Sequence, residues 1–434
     1  MRCAGVFAVL LAAGTARADE PARKLSLHEA IDVSLSENPD IAIAKETVRG
    51  AGARVSGAKA HALPLLTVDS AASYYRHSYS LEFGSLGSFT LHQQQVSATN
   101  VTLAQPLTGL AYLSELVGSA QQDADATRAD YDKTRLDTAY RTADAYLRVL
   151  EARATADLAH RSVADIQSEL DRAIQLRQAE TYTDIDVLRF RSAKAAADRD
   201  ALRADTTAAQ ALARLAVQLG LHDGAAIDVA DDLPETPPQI AMTLDAALTR
   251  ALSARPELHA ARDRIDSANH ARRAAREKYL PNISAVGVWT HLTGVQPFQP
   301  EDEEYLGLRI QWNIWDWGAT HDAVTDAEVT QNRAMLSANA LVDQVRLDVR
   351  QRWLDARAAF DSLPAARTQQ QAAEEALRLQ KVRFEAGAAT TTDVLDSETD
   401  ARRARLVFAV ARYDYYLSLV ALARAMGDLP ASTP

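Results

Sequence analysis

Several passages of this chain occur twice, and that duplication limits its possible folds more than any other feature. Leu25-Ser-Leu-His-Glu-Ala30 returns as Met242-Thr-Leu-Asp-Ala-Ala247, Glu37-Asn-Pro39 as Ala254-Arg-Pro256, and Leu63-Pro64 as Leu280-Pro281, all at an offset of 217. Further on, Asp186-Val-Leu188 returns as Asp393-Val-Leu395 and Leu219-Gly220 as Met426-Gly427, at an offset of 207. Two copies of one structural unit follow. Pro64 to Pro106 is 42 residues and Pro281 to Asn313 only 32, so the first unit carries the longer loop. The units span 19–227 and 242–428, joined by a linker over 228–241 that holds Pro234, Pro237 and Pro238, with a short tail at 429–434.

Each unit reads helix, strand, strand, long helix, helix. The first helix is expected over about Leu27 to Ala60, and again over Leu244 to Tyr279, ending at a Leu-Pro where proline removes a donor and fixes φ. Strands are expected over 65–75 and 96–107, then 282–292 and 305–315. Alternation is clearest in the fourth: Leu306, Leu308, Ile310, Trp312 and Ile314 are apolar, with Gly307, Arg309, Gln311 and Asn313 between them. Each strand has the length a tilted strand needs to cross a hydrocarbon core.

The long helices carry coiled-coil-like stripes. Leu136, Tyr140, Ala143, Leu147, Leu150, Ala154 and Leu158 form one, and Val342, Val345, Val349, Trp353, Ala356 and Phe360 the other. The segments Leu110 to Arg177 and Ala319 to Glu385 would each extend ~100 Å, with a kink expected at Pro364. Short turns, Gln178 to Thr183 and Glu385 to Thr391, then send the chain back, with Asp184 and Thr392 as expected N-caps. Gly387 suits a left-handed C′ position, whereas its counterpart Glu180 fits it poorly.

The N-terminus reads as a secretory signal over 1–18: Arg2, an apolar run from Ala4 to Ala13, and Ala16-Arg17-Ala18 before Asp19. Cleavage there removes the only cysteine, Cys3, and leaves a net charge of −13 from 45 basic and 58 acidic residues. That excess argues against a nucleic-acid partner. No later segment reads as a run of about 20 apolar residues, so a membrane-spanning form must be a β-barrel.

Strand and long-helix hairpins, duplicated behind a signal, resemble the TolC-like outer-membrane efflux protein family. The matching residues are Asn38-Pro39, Leu63-Pro64, Trp315-Asp-Trp-Gly318 at the strand-to-helix junction, Phe384 to Asp396 at the tip, and Tyr413 to Gly427 in the closing helix. Three departures stand beside them. The first junction, Gln105 to Leu110, lacks the aromatic-Asp pair, Ala389 replaces a basic tip residue, and Arg189 is the counterpart of Asp396.

The resemblance implies a mainly α fold with β: a homotrimer with a 12-stranded outer-membrane barrel continued by a periplasmic α-helical barrel. It implies a passive exit duct of a tripartite efflux or type I secretion system, served by a periplasmic adaptor and an inner-membrane pump. Drug, metal and protein cargo all remain open. Asp393 and Asp396, with Asp186 and Phe384, would form a periplasmic aperture in which converging carboxylates have raised pKa values and favour cations. The tip residues Ala179, Glu180, Ala386, Gly387, Ala388 and Thr390 would dock the adaptor. Trp289, Tyr305, Trp312, Trp315 and Trp317 would mark the membrane interface.

Other chemistry finds little support. Ten histidines show no H-x-x-x-H or H-E-x-x-H spacing, and no G-x-S-x-G or phosphate loop occurs, so neither catalytic residues nor a metal or cofactor is expected. The acidic run Glu301 to Glu304 reads as a solvated extracellular loop, with cation binding as the other reading. The competing architecture is a soluble periplasmic coiled-coil scaffold or adaptor.

Overall fold

The computed structural model describes residues 23–429, except 181, 222–226, 232, 235 and 296–299. The expected signal segment 1–18 lies outside the described residues.

The chain opens with a short strand β1 (Arg23–Leu25) and a helix α1 (Leu27–Glu37) begun by a capping box between Ser26 and Glu29. The single helix expected to Ala60 is two helices. Asn38 closes α1 in an extended conformation and caps α2 (Pro39–Ala60) through its side chain, because Pro39 has no N–H to continue the first helix. The second unit breaks in the same place, at Arg255, between α5 (Leu244–Ala254) and α6 (Pro256–Glu277).

Strands β2 (Leu65–Tyr74), β3 (Tyr79–Glu82) and β4 (Ser88–Pro106) follow α2, and β6 (Asn282–Val295) and β7 (Asp302–Gln311) follow α6. The fourth strand is shorter than expected, so Trp312, Ile314 and Trp315 lie beyond it, where the chain turns toward its helix. The second is longer, because part of the expected 76–95 loop is a hairpin of β3 on β4. The order β2-β4-β6-β7 is antiparallel throughout. Both edge strands, β2 and β7, keep an open side in the single chain.

Long helices α3 (Leu110–Gln178) and α7 (Ala319–Glu385) then descend from the sheet, each ~100 Å long. They return as α4 (Asp184–Gln218) and α8 (Thr391–Met426). Helix α7 is continuous through Pro364. The sequence stripes become the core: Leu136, Ala143, Leu147 and Leu150 are buried in α3, and Val345, Val349 and Ala356 in α7. Midway along, β1 pairs in parallel with β5 (Ile227–Val229). The Tyr146 hydroxyl reaches the Leu25 and Ala230 carbonyls there, and Tyr415 and Tyr416 donate to the linker carbonyls of Pro238 and Pro234.

One expectation from composition needs correction. Helix α8 does contain an 18-residue window of mean hydropathy 1.4, enough by composition to cross a membrane. Its apolar half instead packs on α3 and α7, burying Tyr413, Val420, Leu422 and Met426.

Candidate functional site

Two places concentrate functional chemistry: the tips where the helical hairpins turn, and the sheet at the opposite end.

At the tips the N-caps are Thr183 and Thr390, not Asp184 and Thr392. Each threonine forms a capping box with an aspartate three residues on, Asp186 and Asp393 respectively, which satisfies two backbone donors at the helix start. Asp393 is therefore first a cap. Within the single chain, hydrogen bonds from the backbone and side chain of Thr390 hold its carboxyl below the usual range. Asp396 is exposed one turn further along. Glu180 adopts the left-handed conformation at φ +57°, matching Gly387 at +71°. The turn geometry overrides the side-chain penalty there.

Asp186 has a second task. Its Oδ2 serves the Thr183 cap while its Oδ1 accepts from the Thr391 hydroxyl of the other hairpin at 2.7 Å. The Thr183 hydroxyl, with these other bonds, outweighs burial and lowers its pKa. Around it Arg189 donates to Thr392 at 2.8 Å, Arg172 pairs with Glu385 at 2.8 Å, and the rings of Tyr182 and Phe384 meet edge-on at 5.3 Å. Of the four residues expected at the aperture, Asp186 and Phe384 thus make contacts between the two hairpins within one protomer. Ala179, Glu180, Ala386, Gly387 and Thr390 are exposed at the turns, and Ala388 accepts from Arg383.

Higher up, between the hairpins, lies a carboxylate that sequence reasoning missed. Glu398 is 5% exposed, and neither of its oxygens has a hydrogen-bond partner. Lys381 stands 3.6 Å away but is shared with Glu169 at 3.0 Å. Burial, with Asp165 nearby, raises the Glu398 pKa against the pull of Lys381 and Arg405. In sequence it is one of 58 acidic residues; only packing distinguishes it.

At the sheet, register sorts the residues into two faces. One carries Leu66, Val68, Val101, Leu103, Trp289, Leu306, Leu308 and Ile310; the other carries Thr67, Asp69, Asn100, Thr102, Thr290, Glu303 and Arg309. Leu306 is 91% exposed in the single chain and Trp317 89%, apolar surface of the kind that hydrocarbon, the membrane interface or another protein surface covers. Tyr305 pairs with Val288 and shares the face of Gly307 and Arg309. It therefore lies on the polar face, opposite to the face of Trp289.

Below the strand, Trp315 and Trp317 stack edge-on at 5.7 Å. Trp317 and Gly318 both take positive φ, and the Asp316 carboxylate accepts from the backbone N–H of Gly318 and Thr320, starting α7. The first junction has no aspartate. Gly109 takes the same left-handed turn at φ +80°, while Thr108 bonds across to Ile283 and Pro281.

A sheet whose four-strand path β2-β4-β6-β7 has two open edges and one apolar face, continued by paired ~100 Å helices, needs other copies to close it. The outer membrane efflux protein family model matches residues 30–221 and 247–428, both repeats and nearly the whole described chain. The chain belongs to the outer membrane efflux protein family. The outer membrane efflux protein BepC of Brucella suis biovar 1 (strain 1330) is 24% identical over 319 residues, 73% of this chain and 68% of that protein. The outer-membrane channel OprN superposes with a TM-score of 0.80 at 20% identity, covering 92% of this chain and 89% of that one. VceC of Vibrio cholerae does so at 0.78 and 17%, covering 93% and 96%.

The protein is thus an outer-membrane efflux channel. Three chains contribute four strands each to a 12-stranded barrel, and their helices extend it as a periplasmic duct that meets an adaptor and an inner-membrane pump.

Proposed function

We propose that the hairpin tips are both the aperture of this duct and the end that docks the adaptor, and that the chain is a passive conduit with no catalytic role. The observation that carries the reading is Asp186, which caps its own helix and binds the other hairpin through separate oxygens. Separating the hairpins must break that bond, the Arg189–Thr392 bond and the Tyr182–Phe384 contact together. Ala389 removes a basic latch from the turn, and Arg172 and Arg189 supply cationic ties from the neighbouring hairpin instead. Docking falls to Ala179, Glu180, Ala386, Gly387, Ala388 and Thr390, because these turns protrude furthest from the sheet.

Asp396, free of the capping that occupies Asp393, is the better ring carboxylate for favouring cations at the mouth. Single-channel recording tests both parts. Arg189→Ala with Phe384→Ala is expected to raise conductance, and Asp396→Asn to reduce cation preference. Wild-type behaviour in both would remove the aperture from the tips.

A further inference from the structure

The β2–β4 hairpin does not stop where the lipid-facing wall stops. On the apolar face, successive cross-sheet rows run Leu66–Leu103–Gly287–Leu306, then Val68–Val101–Trp289–Glu304, then Ser70–Thr99–His291–Asp302. The last row is polar and internally bonded: Ser70 to Thr99 at 2.9 Å and His291 to Asp302 at 2.9 Å. It marks the outer limit of the hydrocarbon band. Strand β4 continues beyond it, pairing with β3 in Leu81↔Phe89 and Glu82↔Ser88, at the end of the sheet remote from the helices.

This extension is amphipathic. Leu81, Phe83 and Phe89 share one face, with the two phenylalanine rings edge-on at 5.7 Å. Ser80, Glu82, Ser88 and Thr90 share the other, with Ser80 and Thr90 hydroxyls bonded at 3.1 Å. Phe83 is 53% exposed and Leu81 38%. A two-stranded hairpin is marginal alone in water, and an apolar face held in water requires cover.

We propose that the three copies of this hairpin bend over the barrel and pack their Leu81, Phe83 and Phe89 faces together on the threefold axis, forming a gate at the outer mouth. Two observations select further copies of the chain as the cover. Strand β3 prolongs the edge begun by β2, the open edge along which the next protomer joins. The reach also suffices: Gln95 to Ser88 spans ~24 Å, against a radius of ~12 Å for twelve strands ~4.8 Å apart at ~40° tilt. The base of each arm is built for a bend, since Gly294 at φ +80° lies against the Gln95 carbonyl and the β4–β6 register shifts between His92 and Ser97.

The inference rests on the trimer, so native-gel migration of the trimer is followed separately from the gate. Phe83→Cys is introduced into the full chain, whose only other cysteine, Cys3, lies in the expected signal. Oxidation of the intact trimer is expected to join protomers and cut single-channel conductance at least tenfold, both reversed by reductant. Glu82→Cys, on the polar face, is expected to do neither. Phe83→Ser with Phe89→Ser is expected to raise conductance with the trimer retained. An intact Phe83→Cys trimer that neither cross-links nor changes conductance would overturn the gate, as would protection of the introduced thiol by lipopolysaccharide vesicles alone.

Discussion

Replacing Thr391 with valine removes one hydrogen bond between the hairpins and almost nothing else. Thr391 is 4% exposed, and its hydroxyl lies 2.7 Å from Asp186 Oδ1. Valine fills the same volume, and Asp186 keeps its own cap through Oδ2. A hydrogen bond to a charged group contributes about 1.5–3 kcal/mol net. Asp186 is half-buried, so solvent can replace part of that bond, and about 1–1.5 kcal/mol per protomer is the working figure. If three protomers open in concert the bonds sum to about 3–4.5 kcal/mol, a shift of roughly 10²–10³ in the open-to-closed ratio. Purified trimers in planar bilayers report this as open probability. Arg250→Ala, which removes the remote Arg250–Asp428 pair, serves as the control. A Thr391→Val channel whose open probability rises less than threefold would refute the argument that this bond holds the tips.

Three other outcomes follow from the same geometry. A Cβ at Gly294 would lie 1.9 Å from the Gln95 carbonyl oxygen at a φ of +80°, so Gly294→Ala is expected to destabilise the sheet by more than about 2 kcal/mol; the yield of trimer in the outer membrane measures it, and a normal yield contradicts it. The raised pKa of Glu398 means that its stabilising, protonated form is lost as pH rises from the ordinary glutamate range through the raised folded value. Glu398→Gln should therefore raise Tm at pH 7.5 but not near pH 4, and a gain that is constant with pH would count against it. Arg424 binds Asp137 of α3 at 2.8 Å and stands 3.6 Å from Asp348 of α7, both carboxylates three-quarters buried. Arg424→Met is expected to cost about 2 kcal/mol after allowance for partial exposure, read as a lower Tm of the detergent-solubilised trimer.

The architecture was legible because its signals are repeated and local. Pro64 and Pro281 end the first helical segment of each repeat, the heptad stripes of α3 and α7 run for several turns, and Leu306 to Ile310 alternate without a break, although the breaks at Pro39 and Pro256 went unread. What misled was also local. Asp184 and Thr392 look like caps by residue type, yet Thr183 and Thr390 take the role because each has an aspartate three residues on to complete a box. Tyr305 looks like a girdle residue by composition, but its strand parity places it with Arg309. The first junction, which lacks the aromatic-Asp pair, is anchored by Thr108 through the second repeat's strand, a contact between residues 175 apart.

Sequence alone therefore determined the duplication, the order of elements, the apolar strand face and the long hairpins, since each follows from periodicity or from proline and glycine along a continuous stretch. Tertiary structure decided what depends on two distant segments meeting. It gave Asp186 its second partner in Thr391, buried Glu398 beside a lysine already engaged by Glu169, and carried Phe83 and Phe89 beyond the polar row of Ser70, Thr99, His291 and Asp302. A side chain's neighbours across the fold, unlike its neighbours along the chain, are set by register and packing, and those are fixed only once the hairpins and the sheet have formed.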